Sequence, residues 1–408
     1  MKKLKNITLS MSIAVMVHYM AEMFFKKAIC SDDDLHGRDA MRMVFFTYGE
    51  LAITLFFAVS TYLSIVHSTE DLSVRLYGVL CLIIQLLVFA FLSFRSYHRS
   101  HFRDMYQRSR GMEISENSNR KIAAVIKHHL IMPNVFVVIS ALYTISSDRV
   151  HIGDPFTFPF MDVLPIETTS VAVYVCKYVV YALPVYLTQI EVCFLHVTYM
   201  YSTSIMKSHF QILEKQVEEA MVNKDEHKLK IAIKHHQELL KFFKEMKTVY
   251  EKPIFLIIVS CGLYIGLTSS LIIQVIQGFI HQILLGICIV SSLECALTII
   301  IYCVYAINLY DLHDRILNAL FQHQLLYSQN KSFKQLILIM MTRATIPLEF
   351  KAGSIFTVNM NLLVRILKFA YTVFNVLITS INPTYKNCSM KIKYIIVSMQ
   401  VITKKIYF

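Results

Sequence analysis

KQLILIMMTRATIPLEFKAGSIFTVNMNLLVRILKFAYTVFNVLITS, residues 334–380, is the stretch whose reading decides the fold. Its first apolar segment, Leu336 to Met341, reads as a short helix that must stop near Pro347, because proline lacks the backbone N–H and clashes with the preceding turn. Lys351-Ala352-Gly353 marks a break, where glycine permits a sharp reversal. A last apolar run, about Leu362 to Ser380, is long enough to cross a bilayer. It has Asn361, Arg365 and Lys368 near its start and Asn375 inside. A helix facing lipid on all sides would not hold these groups, whereas one lining water would. Phe374 and Ile378 are one turn apart and could form an apolar constriction, with helix packing at a bundle centre as the alternative.

Outward from that stretch, apolar runs recur along the whole chain. They cover roughly 44–66, 76–94, 130–145, 171–201, 253–278, 283–309 and 356–379. A span needs about 20 residues at 1.5 Å each, so these are seven candidate transmembrane helices. Composition agrees. Of 408 residues, 55% are hydrophobic and 17% charged, against about a quarter charged in soluble domains, and the mean hydropathy is +0.51. The expected fold is therefore an all-α polytopic membrane protein. The net charge of +12 does not point to nucleic acid, because the basic residues lie between apolar runs and form no dedicated patch.

Their placement sets an orientation. Segments 95–129, 202–252 and 307–355 hold eight, ten and five Lys/Arg, while 67–75 and 146–170 hold one each and 279–282 none. The positive-inside rule puts the N-terminus in the cytoplasm and the C-terminus outside. Segment 202–252 also contains eight acidic residues among regularly placed apolar ones. That is a charge-laced helical pattern, so spans four and five should extend well beyond the bilayer. Ile7–Phe25, flanked by lysines, reads as a membrane-surface helix within a cytoplasmic segment, 1–43. The spans occupy 44–380. Residues 381–408 form an atypical tail whose five lysines run against the charge rule, and no role is assigned to it.

Polar groups inside spans are costly and usually face the bundle interior. Span four contains Lys177, Gln189 and Glu191, with a kinking Pro184. Tyr174, Tyr178 and Tyr181 recur on one of its faces. They suit the wall of a pocket for small apolar molecules, with interhelical packing as the bland alternative. Opposite walls would come from the outer halves of spans two, three and six: Tyr77, Cys81, Phe136, Ile139, Tyr143 and Cys288.

Other chemistry finds little support. Seven of the nine cysteines lie in apolar runs without CxxC spacing, which argues against disulfides and zinc. His98/His101, His128-His129 and His235-His236 lack the repeated spacing of di-iron membrane oxygenases and read as solvated basic faces. No GxSxG, HExxH or Walker signature occurs. The sequence calls for no enzyme activity, no cofactor and no metal.

Several stretches together resemble insect odorant receptors. These are TFPFMDVLPIETTS (157–170) before span four, IKHHQELLKFFKEMKTVYEKPIF ending at Phe255, and NLYDLHDRILNALFQHQLLYSQNKSFKQLILIMM (308–341). The closing helix–Pro–Ala-Gly–Phe–span order completes the likeness. The family's usual Trp is replaced by Leu326-Tyr327, and its Ser/Thr-Tyr pair by Ala370-Tyr371. The resemblance implies seven spans with a cytoplasmic N-terminus. It also implies a plasma-membrane, ligand-gated cation channel assembled as a hetero-tetramer with a shared co-receptor. Its assembly surface would be the cytoplasmic parts about 202–252 and 308–355. The last span would line the pore, with Tyr371, Phe374 and Ile378 at the gate and a small apolar odorant as ligand. Leu377 stands where the co-receptor and the gustatory receptors have Gln, so the resemblance implies a tuning subunit. A gustatory receptor is the alternative. A G-protein-coupled receptor would need the opposite orientation, and a transporter internal symmetry.

Overall fold

The computed structural model describes residues 37–67, 72–98, 101–102, 104–105, 117–129, 131, 171–276, 283–324 and 331–381. The described residues are mostly helical. In chain order they form α1 (Gly37–His67), α2 (Leu72–Tyr97), α3 (117–129), α4 (Val171–Asn223), α5 (Glu226–Ile276), α6 (Ile283–Gln324) and α7 (Lys331–Ala344). A hairpin of β1 (Lys351–Ala352) and β2 (Phe356–Thr357) precedes α8 (Met360–Ile381). Four stretches among these residues are long and apolar enough to cross a membrane: Gly78–Tyr97, Glu226–Gln274, Cys288–Phe321 and Met360–Ile378, with a shorter apolar one at Tyr48–Leu63. Most of the expected third span and the surface helix at 7–25 lie outside the described residues. So does the tail after Ile381.

The helices are longer than their apolar runs. With 53, 51 and 42 residues, α4, α5 and α6 extend roughly 60–80 Å at 1.5 Å per residue, twice or more the ~30 Å of a bilayer core. Their charged halves, including 202–252, therefore project from one end of the bundle. There α4 reverses into α5 through Lys224, at φ 51°, and Asp225. The Asp225 carboxylate accepts from the N–H groups of His227 (2.9 Å) and Lys228 (3.1 Å), capping orphan donors of the first turn.

The projecting end has a dense core. Tyr199 meets Tyr250 and Phe350 edge-on and Tyr302 at a tilt, at ring distances of 4.8–5.7 Å, and the Tyr199 hydroxyl donates to the Tyr302 carbonyl (3.2 Å). The Pro347 segment ends on this core, where the Phe350 N–H donates to the Tyr310 hydroxyl (2.7 Å). Gly353 adopts φ +59° and its N–H donates to the Glu251 carbonyl. A Cβ there would lie 2.7 Å from the Phe255 ring, so the reversal read from the sequence needs glycine for both torsion and space. The helix of the last span begins at Met360, close to the reading from Leu362 and short of the wider apolar run from residue 356, because Phe356–Thr357 pairs with Lys351–Ala352. The hairpin uses those backbone groups first.

The histidine expectation is corrected. His98, His129 and His236 are buried rather than solvated; for His128-His129 and His235-His236 the helix carrying the pair turns one member inward. His236 stacks on the buried His313 at 5.8 Å. Burial, then His313, His235 and Arg343, lower the His236 pKa to about 4.

Candidate functional site

Two polar constellations sit where the apolar helices meet. In the first, the Arg95 guanidinium of α2 donates through Nη1 to both carboxylate oxygens of Glu191 on α4, at 2.6 Å each. Its Nη2 reaches Glu50 of α1 at 3.4 Å, and it lies 5.5 Å from the Phe194 ring centroid. Arg95 and Glu191 are 4% and 2% exposed. A buried charge persists only when paired and hydrogen-bonded, so this ion pair ties three helices together. The sequence had shown Glu191 as an intramembrane polar residue, but Arg95 had been counted as loop charge.

In the second, the Gln189 amide of α4 donates to Glu294 of α6 (3.3 Å). His129 Nδ1 meets Gln189 Oε1 at 3.0 Å, and His129 Nε2 meets His196 Nδ1 at 2.8 Å. Glu294 escaped the sequence reading, although an acid within the 27-residue run 283–309 was a usable signal. On α4, Gln189 follows Tyr178 by eleven residues, which returns to nearly the same helical face about 16 Å along.

The expected pocket residues are placed unevenly. Phe136, Ile139 and Tyr143 lie outside the described residues. Tyr77 is on α2, and Tyr174 and Tyr181 are on α4. Tyr178 and Cys81 are half-buried and Cys288 is buried. Cys288 joins Leu76 and Leu80 of α2 and Leu267 and Leu271 of α5 in one apolar cluster, against which Leu377 of α8 packs. The Tyr264 hydroxyl of α5 engages Ser291 of α6, and Thr268 and Ser292 hydrogen-bond at 2.7 Å. One cluster therefore joins a candidate pocket wall to the last helix.

Along α8 the exposed positions are Asn361, Arg365, Lys368, Phe369, Thr372 and Val376. They form one stripe at helical spacing, polar for most of its length. Ala370, Phe374 and Ile378 lie on the covered side, the latter two 1% and 6% exposed. Tyr371 is half-buried and stacks on Phe374 at 6.4 Å. In the single protomer Phe374 thus lies about half a turn around the helix from Thr372. The helix rests on α5 at Gly262 and Gly266. A Cβ at Gly262 would lie 2.8 Å from Phe369 Cδ1, and one at Gly266 would lie 2.8 Å from Val373 Cβ and 2.9 Å from the Ala370 carbonyl oxygen.

A bundle of long apolar helices with a buried charge cluster on Arg95 and one polar-striped terminal helix defines a multi-pass membrane protein. The chain belongs to the odorant receptor family: the 7tm Odorant receptor profile matches residues 79–371. Solved structures similar to it include the insect olfactory receptor OR5 from Machilis hrabei in complex with eugenol. That match has a TM-score of 0.67 at 12% identity and covers 91% of this chain and 99% of that one. The same receptor in a second structure gives a TM-score of 0.69 at 11% identity, covering 90% and 98%. No curated protein matches.

Proposed function

We propose that this chain is the tuning subunit of an odorant-gated, non-selective cation channel in the plasma membrane. In this reading it assembles with a co-receptor as a hetero-tetramer, with seven spans, a cytoplasmic N-terminus and an extracellular C-terminus. The observation that carries the reading is the stripe on α8. Asn361, Arg365, Lys368 and Thr372 are exposed on a helix apolar enough to cross a membrane. Lipid cannot hydrogen-bond them, so that face meets water or other subunits. The bound eugenol of the similar Machilis receptor suits a pocket for small, largely apolar molecules. Here the pocket is assigned to Tyr178, Cys81 and Cys288, joined by Tyr77, Tyr174, Tyr181, Phe136, Ile139 and Tyr143. The apolar cluster of Cys288 and Leu377 would carry ligand-induced movement of α6 to α8.

The gate is assigned to α8 in two parts. Thr372 and Val376 lie on the face available to the pore. Phe374 and Ile378, with Tyr371 beside them, pack behind that face and hold the helix in its closed rotation. The test is current evoked by volatile compounds in cells expressing the chain with and without a co-receptor. Current that requires both chains supports the reading; no current from the pair at confirmed surface expression removes it. Val376→Asn should raise current without odorant, because a polar ring keeps a narrow pore wet. If Phe374→Asn and Ile378→Asn instead change ion selectivity while Val376→Asn does not, the pore face is the side covered here.

A further inference from the structure

The charges of α8 are all of one sign. Its sequence, MNLLVRILKFAYTVFNVLITSI, contains Arg365 and Lys368 and no acidic residue, and both cations are exposed. Among the described residues neither forms an ion pair within the chain. Two acids just before the helix or beside the hairpin are engaged elsewhere. Glu251 accepts from the Ser354 hydroxyl at 2.8 Å, and Glu349 faces Lys351 at 3.9 Å. The apolar stretch Met360–Ile378 thus presents two positive charges without a counter-charge of its own.

The helix fixes where they point. At 3.6 residues per turn, Asn361, Arg365, Lys368 and Val376 all fall within about 40° of Thr372, while Phe374 lies about 160° away. Along the axis Lys368 precedes Thr372 by about 6 Å and Arg365 by about 10 Å. Both cations therefore share the line of Thr372 and Val376, the two residues assigned to the pore face. A fixed charge beside a water-filled path acts on every ion that passes, and low-dielectric walls strengthen its field. That field reaches about 8 Å at physiological ionic strength. The repulsion scales with the charge of the ion, so a potential that depletes a monovalent cation about threefold depletes a divalent one about ninefold.

We infer that Arg365 and Lys368 line the inner part of the pore and hold divalent cations back, so that the channel containing this chain passes monovalent cations in preference to calcium. The inference rests on the proposed channel reading, in which α8 lines the pore, and refines it by naming the class of ion carried. Because the effect is one of charge, it follows the sign at these two positions and not the shape of the side chain.

The test is the reversal potential of odorant-evoked current in cells expressing the full chain with a co-receptor, with sodium or calcium as the external cation. Arg365→Gln/Lys368→Gln should raise the calcium-to-sodium permeability ratio about threefold or more, and each single change should raise it less. Arg365→Lys/Lys368→Arg, which keeps both charges, should leave the wild-type ratio, an outcome that a packing role would not give. Lys241→Gln, which removes an exposed charge from α5, should also leave it. Lys368→Cys covers the case in which the glutamine variants fail to reach the surface. An anionic thiol reagent should raise its ratio and a cationic one should lower it, with reagent-treated wild type as the control. An unchanged ratio in the double glutamine variant at normal evoked current overturns the inference and leaves the channel reading standing. So does an equal shift in Lys241→Gln, or a Lys368→Cys ratio indifferent to the sign of the reagent. No evoked current from wild type with the co-receptor defeats the channel reading, and the inference with it.

Discussion

Replacing Gly266 with alanine tests how the last helix is seated. The new Cβ would lie 2.8 Å from Val373 Cβ and 2.9 Å from the Ala370 carbonyl oxygen. Neither atom is the free end of a side chain, so α8 must retreat from α5 by about 0.6 Å to reach ordinary contact near 3.4 Å. Gly262→Ala is the matched control. Its Cβ also meets an atom at 2.8 Å, but that atom is Cδ1 of Phe369, a ring 43% exposed and able to swing outward. Both changes gain about 1 kcal/mol of helix propensity, and overpacking against a fixed neighbour costs about 1–3 kcal/mol. Gly262→Ala should therefore be neutral or slightly stabilising, and Gly266→Ala net destabilising by up to about 2 kcal/mol. Thermal unfolding in nanodiscs reads the difference, and odorant-evoked current reads its effect on the seated helix. Equal unfolding midpoints for the two variants would refute the seating.

Arg95→Met should destabilise the bundle by about 3–5 kcal/mol, because it strands Glu191 as a buried charge; the Arg95→Met/Glu191→Met double variant should recover much of that loss, and a double variant no better than the single would show that the pair is not coupled. His236 titrates at about 4 in the folded chain and near 6.5 unfolded, so between these values the unfolded chain binds more protons. Its contribution is complete above pH 6.5 and falls as pH drops toward 4, by up to about 3 kcal/mol; unfolding midpoints from pH 7.5 to 4.5 should show a shallower acid decline in His236→Phe, and parallel curves would contradict this. Tyr178→Ala should reorder the ligands that evoke current while leaving surface expression unchanged, and an unaltered response profile would take this residue out of the pocket.

Much of the architecture is legible without coordinates, because membrane insertion depends on local apolar length. Each run of about 20 apolar residues carries its own signal. The charge-laced pattern of 202–252 likewise announces helices that continue beyond the bilayer, and Pro347 with Gly353 announces the reversal before α8. The family is also readable, since its motifs are contiguous.

Which residues meet is a different kind of information. Arg95 and Glu191 are 96 positions apart and Gln189 and Glu294 are 105 apart, and nothing local couples them. Phe374 and Thr372 are two residues apart, yet one is covered and the other exposed. The polar stripe of Asn361, Arg365, Lys368 and Thr372 already marks the face of α8 that stays uncovered; which helix covers the other face is set by the close approach at Gly262 and Gly266 of α5. Apolar length sets that a helix crosses the membrane, but its partners depend on packing against helices distant in sequence. The tertiary structure alone decided those.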